Sequence, residues 1–336
     1  MDSWILFQTP PSVIGYATVV GEKEHEGPLG GEFDLHDQDD KFGMPTWEQS
    51  ESEMQRQMFQ LLLKKTGVGE DQINGIFAGD LQNQCAASGY GLKDFDIPFF
   101  GLYGACSTMA ESIMLASCMV AGDLMQKAIA VASSHFCTAE RQFRTPIEYG
   151  GQRTPSAQWT VTAAGGVMLG KDGAGPIVRS VLPGRVVDAG IKDANNMGAA
   201  MAPAFLDTLT RFFRQSGTQP EDFDLILSGD LGAVGKDIVL ELMRTQGYDL
   251  TGIYEDCGLM IYDTKKQDVH AGGSGCGCSG AVLCSHILNR MRRGELNRVL
   301  LLCTGAMLSA GSVLQGLSIP GIAHLVEFCN KGVVEK

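Results

Sequence analysis

The side chains best suited to chemistry in this sequence are one cysteine, a pair of arginines and two histidines, each next to what reads as a strand end. Cys106 stands in Phe99-Phe100-Gly101-Leu102-Tyr103-Gly104-Ala105-Cys106-Ser107-Thr108, an apolar run that bends through small residues. A helical pattern follows at once: Ile113, Ala116, Ser117, Val120 and Ala121 recur at helical spacing, and Gly122 ends it. A thiol at a helix mouth meets unpaired N–H groups and the positive end of the macrodipole. The spacing therefore predicts an easily formed thiolate and a dock for a ligand carboxylate. The competing reading is an inert core cysteine.

Arg141 and Arg144 lie in Ala139-Glu140-Arg141-Gln142-Phe143-Arg144-Thr145-Pro146, just beyond the strand that delivers His135. Arginine's planar fork suits carboxylate recognition, and ion pairs with Glu140 or Glu148 are the alternative. His135 either donates to the same ligand or is satisfied within the fold. Asp188 and Asp193 flank Gly190, and Asn195-Asn196 read as turn formers. His270 precedes Gly272-Gly273-Ser274-Gly275, whose glycines admit a ligand close to the backbone or a tight bend. Cys276 and Cys278 lack a second pair at ligand spacing, so no zinc site is expected. The acidic stretch holding Glu22, Glu24, Glu26, Glu32, Asp34, Asp37, Asp39 and Asp40 lacks an EF-hand's central glycine and terminal glutamate. It reads as a solvated acidic face.

The elements that position these groups occur twice. After an N-terminal arm over residues 1–45, Thr46-Trp47-Glu48-Gln49 has capping-box spacing, Met54, Met58, Leu61 and Leu62 share a helix face, and Gly67 stops it. Ile73 to Ala78 then reads as a buried strand ending in Gly79-Asp80-Leu81. Phe205, Leu209, Phe212 and Phe213 repeat the helix, Gly217 the stop, and Phe223 to Ser228 the strand, ending in Gly229-Asp230-Leu231 at an offset of 150 residues. Ala105-Cys106-Ser107 is echoed by Gly277-Cys278-Ser279 at an offset of 172, and under that offset Ala128–Ser134 falls on Leu300–Ala306. An ordered series of this kind argues for a duplicated α/β unit with parallel βαβ pairing. Groups at the carboxyl ends of its strands, including both Cys-Ser turns, would meet across a pseudo-twofold axis.

Composition narrows the function classes. The 336 residues are 44% hydrophobic and 19% charged, with 43 glycines, a profile for a large folded α/β protein. A net charge of −13 argues against nucleic acid and bare anionic lipid as direct partners. Several of the ten cysteines, such as Cys118 and Cys303, sit inside apolar runs, which suits reduced thiols. No signal peptide and no uncharged apolar run of spanning length is read, so a soluble chain is expected.

A duplicated α/β unit with one strand-to-helix cysteine per half resembles the thiolase and ketoacyl-synthase family. Cys106 matches that family's acyl nucleophile. The family's Gly-His-Pro-x-Gly-Cys-Ser-Gly pattern matches Gly273-Ser274-Gly275-Cys276-Gly277-Cys278-Ser279-Gly280, but its catalytic histidine falls on Ser274. The other catalytic position finds its nearest match in Asp230. Neither a serine nor an aspartate there supplies the base and oxyanion donor that acyl transfer needs. The resemblance implies a thiolase-like α/β fold: two similar βαβ-rich halves, 1–184 with the arm and 185–336, in five layers α/β/α/β/α.

Longer motifs narrow the match. Ala78-Gly79-Asp80-Leu81-Gln82-Asn83-Gln84, Ser133-Ser134-His135, Met197-Gly198-Ala199-Ala200-Met201-Ala202-Pro203, Asp256-Cys257-Gly258-Leu259 and His270-Ala271-Gly272-Gly273 resemble a thiolase-fold sporulation family of spore-forming Firmicutes. That resemblance implies binding of dipicolinic acid, as such or as its calcium chelate, without catalysis and without a cofactor. It implies synthesis in the forespore cytosol, a peripheral place at the spore inner membrane, and work with other stage V sporulation A proteins in uptake and germination. A homodimer is a further expected partner state. On this reading Cys106, His135, Arg141, Arg144, Asp188, His270 and Ser274 line the ligand site, with Asp188 accepting from a pyridinium N–H or meeting calcium. The alternative is an active acyl-CoA condensing or acyltransferase enzyme that uses Cys106.

Overall fold

A computed structural model describes residues 3–143 and 153–333. In chain order the first part carries strands β1 (Ile5–Leu6), β2 (Ser12–Val20), β3 (Leu35–His36), β4 (Gly75–Gly79), β5 (Phe99–Gly101), β6 (Lys127–Ser134), β7 (Trp159–Thr160), β8 (Ala163–Gly170) and β9 (Ile177–Leu182). Its helices are α1 (Glu22–His25), α2 (Trp47–Thr66), α3 (Ala86–Leu92), α4 (Thr108–Ala121) and α5 (Phe136–Phe143). The later part adds α6 (Met197–Ser216), β10 (Leu225–Ser228), α7 (Gly232–Thr245), β11 (Tyr254–Asp256), α8 (Cys257–Met260), β12 (Gly273–Ser274) and α9 (Cys276–Val282). After a π-helical turn come α10 (Leu288–Arg292), β13 (Arg298–Ala306), α11 (Ala310–Leu314) and β14 (Gly321–Cys329).

The duplication is visible in the sheet order β11-β10-β13-β14-β9-β2-β8-β6-β4-β5. Read from either end it gives an edge strand, two strands parallel to it, then an antiparallel one. The halves meet where β2 touches β9 through the single pair Ser12 and Ile177; β9 pairs along β14 and so groups with the second half, which moves the boundary expected after residue 184 to before Ile177. Helices α2 and α3 cover one outer face, α6 and α7 the other, and α4 and α9 pack between. The five layers expected from the resemblance are present.

Strand residues alternate between layers, as a period of two requires. In β6, Ile129 and Val131 face the α2 core, while Ala128, Ala130 and Ala132 face the central layer. In β13, Leu300 and Leu302 face the α6 core, while Val299, Leu301 and Cys303 face inward. Small inward residues let the central helices close in: a Cβ on Gly165 of β8 would lie 2.4 Å from the carbonyl carbon of Gly280 in α9.

Helix α2 has both ends read from sequence and α6 its glycine stop, while Asn196, read as a turn former, proves to be the cap of α6. Thr46 caps α2 by accepting from the Gln49 N–H, and Gly67 closes it at φ 67°. Asn196 caps α6 by accepting from Ala199, and Gly217 closes it at φ 70°. The acidic stretch corrects the sequence reading. Glu24 is fully buried, accepts from the Thr162 N–H at 3.0 Å and from the Tyr262 hydroxyl, and is pushed up to about 7, chiefly by burial. A sequence shows the charge of such a residue but not the tyrosine that will fold over it.

Candidate functional site

The turn that carries Cys106 is built to hold it still. Residues Ala105–Ser107 form one 3₁₀ turn before α4. Ala105 has φ 51°, a strained left-handed value for a residue with a side chain. Ser107 and Thr108 hydroxyls donate to the Gly104 and Ala105 carbonyls, each at 2.6 Å. From the other half, Gly305 of β13 lies so close that a Cβ there would stand 2.4 Å from the Gly104 carbonyl oxygen. Only glycine fits between the end of β13 and this turn.

Asp230, just past β10, meets the cysteine. It is fully buried and accepts from Thr304 Oγ1 at 2.8 Å, Gly275 N–H at 3.2 Å and Ser274 Oγ at 3.3 Å. Pairing of β12 with β7 aligns Ser274 with Thr160 and so sets Ser274 at this junction. Burial pushes the Asp230 carboxyl up to about 7, the nearby Asp256 charge adds to this, and hydrogen bonds from the Cys106 thiol and Thr304 oppose it. Cys106 is in turn pushed well above the ordinary thiol value, first by burial and then by the Asp230 charge and its hydrogen bond.

This overturns the expectation of an easily formed thiolate. A helix terminus contributes about 0.3–1 kcal/mol, less than one pKa unit, whereas burial moves a pKa by up to about 3–5 units. Desolvation and a neighbouring carboxylate have the same sign here, and together they outweigh the dipole. The second Cys-Ser motif is also placed differently. Cys278 lies inside α9, fully buried, with the Cys257 thiol and the Asp256 carboxyl as its main titratable neighbours, and so is not at a strand-end turn. Cys276, which leads α9, donates to the Ser133 carbonyl at 2.9 Å.

Of the residues singled out from sequence, the structure brings together Cys106 and Ser274. His135 is buried, its Nε2 lies 2.8 Å from the Asp40 carbonyl, and its Nδ1 accepts from the Cys137 N–H, so burial holds its pKa below the usual value. Arg141 is exposed and pairs at 2.7 Å with Glu48, a partner far away in sequence. Asp188 is exposed, accepting from Gly190 N–H and from Ser318 Oγ at 2.6 Å. His270 stands at φ 50° with Nε2 3.3 Å from Asp268. Arg144 and Glu148 lie outside the described residues. The other histidines are engaged elsewhere: His25 stacks on His36, His286 pairs with Glu32, and His324 accepts from the Gly184 N–H.

Asp230, which the resemblance set at the family's other catalytic position, and Thr304, which was not singled out, complete the site. The repeated Gly-Asp-Leu marked Asp230 without saying which of its two copies faces the cysteine, whereas the resemblance pointed to the second. Among the described residues no group of three or more His, Cys, Asp or Glu side chains is arranged to hold a metal ion. All ten cysteines are free, and no helix among those residues is long and apolar enough to cross a membrane.

A palindromic five-layer fold with a cysteine turn facing a second-half strand end defines a thiolase-fold protein. Solved structures agree: 3-oxoacyl-[acyl-carrier-protein] synthase III from Aquifex aeolicus VF5 superposes with a TM-score of 0.56 at 10% identity, covering 94% of this chain and 99% of that one. Cerulenin-bound OleA from Xanthomonas campestris gives a TM-score of 0.61 at 13% identity, covering 97% and 100%. Residues 2–329 match the family model for stage V sporulation protein AD (SpoVAD). Stage V sporulation protein AD of Bacillus subtilis (strain 168) is 42% identical over 331 residues, 98% of this chain and 97% of that protein. This chain belongs to the stage V sporulation protein AD family.

Proposed function

We propose that this chain is a non-catalytic receptor for dipicolinic acid, free or as its calcium chelate. In this reading it serves uptake of that ligand into the developing spore and its release in germination, beside other stage V sporulation A proteins at the inner membrane. The observation that carries the non-catalytic part is the Cys106–Asp230 contact. A nucleophilic thiol must release its proton, and here burial and the neighbouring Asp230 charge hold that proton on Cys106 by pushing the thiol well above its ordinary value. No histidine is among the groups that act most strongly on that thiol. Membership of a sporulation family supports the physiological setting.

The same geometry suits a receptor. Asp230 near pH 7 exists in both protonation states, and its neutral form removes a negative charge from beside an incoming dianion. Ligand carboxylate and Asp230 proton are then linked: dianion binding draws a proton onto the site. Titration calorimetry with dipicolinate, with and without calcium, tests this. Saturable binding retained in Cys106→Ser is expected. Absence of saturable heat, or stable acylation of Cys106 after incubation with acyl-CoA as seen by intact mass, would overturn the reading.

A further inference from the structure

A second concave site lies at the opposite end of the sheet, where β2 begins, and it differs in charge from the molecule as a whole. It is a groove of about 700 Å³ between the last turn of α2, the start of β2, the end of α10 and the chain after β14. Lys65, Arg292, Arg293 and Lys331 line it, and among the described residues no aspartate or glutamate does. In a chain of net charge −13 this is a local reversal of sign.

Two of the four cations are already matched by carboxylates at the rim. Lys65 Nζ lies 2.8 Å from Asp34, and Arg293 pairs with Glu295. The other two have no carboxylate partner among the described residues. Arg292 sits over the Tyr16 ring, its Nη1 3.5 Å from the Tyr16 hydroxyl, and Lys331 donates to the Gly173 carbonyl at 2.5 Å. The helix ends do not need these charges. Thr66 Oγ1 donates to the Leu62 carbonyl at the end of α2, and Asn330 Nδ2 donates to the Met291 carbonyl at the end of α10.

We propose that this groove binds a phosphate-bearing anion, with Arg292 as the planar fork and Lys331 as the point charge. Two unmatched cations suit a phosphomonoester, which carries about −1.5 to −2 at neutral pH. Arginine's fork fits two of its oxygens at once. Ala174 and Val333, both exposed, add apolar wall for the remainder of the ligand. The volume exceeds what a bare anion fills, which points to an esterified phosphate, either on a soluble metabolite or on a lipid headgroup.

The test titrates the whole protein with glycerol 3-phosphate by calorimetry and, separately, measures co-sedimentation with phosphatidylcholine vesicles containing or lacking phosphatidic acid. Saturable binding in either arm is expected, weakened at least tenfold in Arg292→Gln and in Lys331→Gln. Lys236→Gln removes one positive charge elsewhere, from a pair with Glu255, and should leave binding unchanged. The soluble arm alone responding assigns a metabolite, and the vesicle arm alone a lipid. Binding in neither arm, equal binding in the groove variants and wild type, or full displacement of the phosphate probe by dipicolinate would overturn the proposal.

Discussion

The two Gly-Asp-Leu turns began as the same local solution and now sit in different surroundings. Asp80 follows β4, accepts from Ser88 N–H at 2.8 Å, Ser88 Oγ at 2.6 Å and Gln82 N–H at 2.8 Å, and feels the charge of Glu51. Glu51 in turn accepts from Gln82, Ser133 and Thr138. Every one of these partners lies in the first half. Asp230 follows β10 and accepts from Ser274, Gly275 and Thr304 of its own half and from Cys106 of the other. Both carboxyls are pushed up to about 7, mainly by burial. One is closed into a structural network, and the other is the place where the halves meet. A perturbed carboxyl alone therefore does not mark the site; the partner that arrives from across the pseudo-twofold axis does.

The largest effect that would break this comparison is on thiol reactivity. Asp230→Asn removes a full negative charge beside Cys106 and should raise its iodoacetamide alkylation rate at pH 8 about tenfold, the equivalent of one pKa unit. Asp80→Asn should leave that rate within twofold. Peptide mapping by mass spectrometry reads both, and a similar gain in the two variants would show that the halves are not distinct.

Ligand affinity should follow the same division. As pH rises above about 7 Asp230 charges, so dipicolinate affinity falls by up to about tenfold per pH unit. Calorimetry from pH 6 to 8 should show that slope in wild type and Asp80→Asn and lose it in Asp230→Asn.

Stability titrates more evenly. Asp80, Asp230 and Glu24 hold protons in the folded chain up to about pH 7, whereas the unfolded carboxyls release them near pH 4. The folded state thus binds more protons over that window, and stability falls as pH rises through it, by about 1.4 kcal/mol per pH unit for each group at most. Glu24→Gln should flatten the slope of the unfolding free energy between pH 5 and 7 by one group's share, as Asp80→Asn should. An unchanged slope would remove the carboxyl concerned from the account.

The smallest effect expected is at Arg141, whose exposed pair with Glu48 is worth roughly 0–1 kcal/mol. Arg141→Ala should change dipicolinate affinity less than twofold.

What the sequence carried was the repeating frame. Thr46, Gly67, Gly217, the strand runs and the Gly-Asp-Leu echoes all depend on neighbours a few residues away, and they emerged where expected. The fate of isolated charges did not, because it depends on distant partners. Glu24 is covered by Tyr262, Arg141 is taken by Glu48, and Cys106 is buried beside Asp230, each across a long stretch of chain. Ser274 was legible only because a resemblance supplied the position where an imidazole would otherwise stand. The basic groove left no motif at all, since its four cations come from three separate segments.

The central claim is that the thiol at the junction of the halves is a neutral hydrogen-bond donor. Its most direct test is the alkylation rate of Cys106 in the unaltered protein as a function of pH. The account predicts a rate that keeps rising through pH 9 without a plateau. A sigmoidal profile with a midpoint between pH 6 and 8 would reveal an activated thiolate and contradict it.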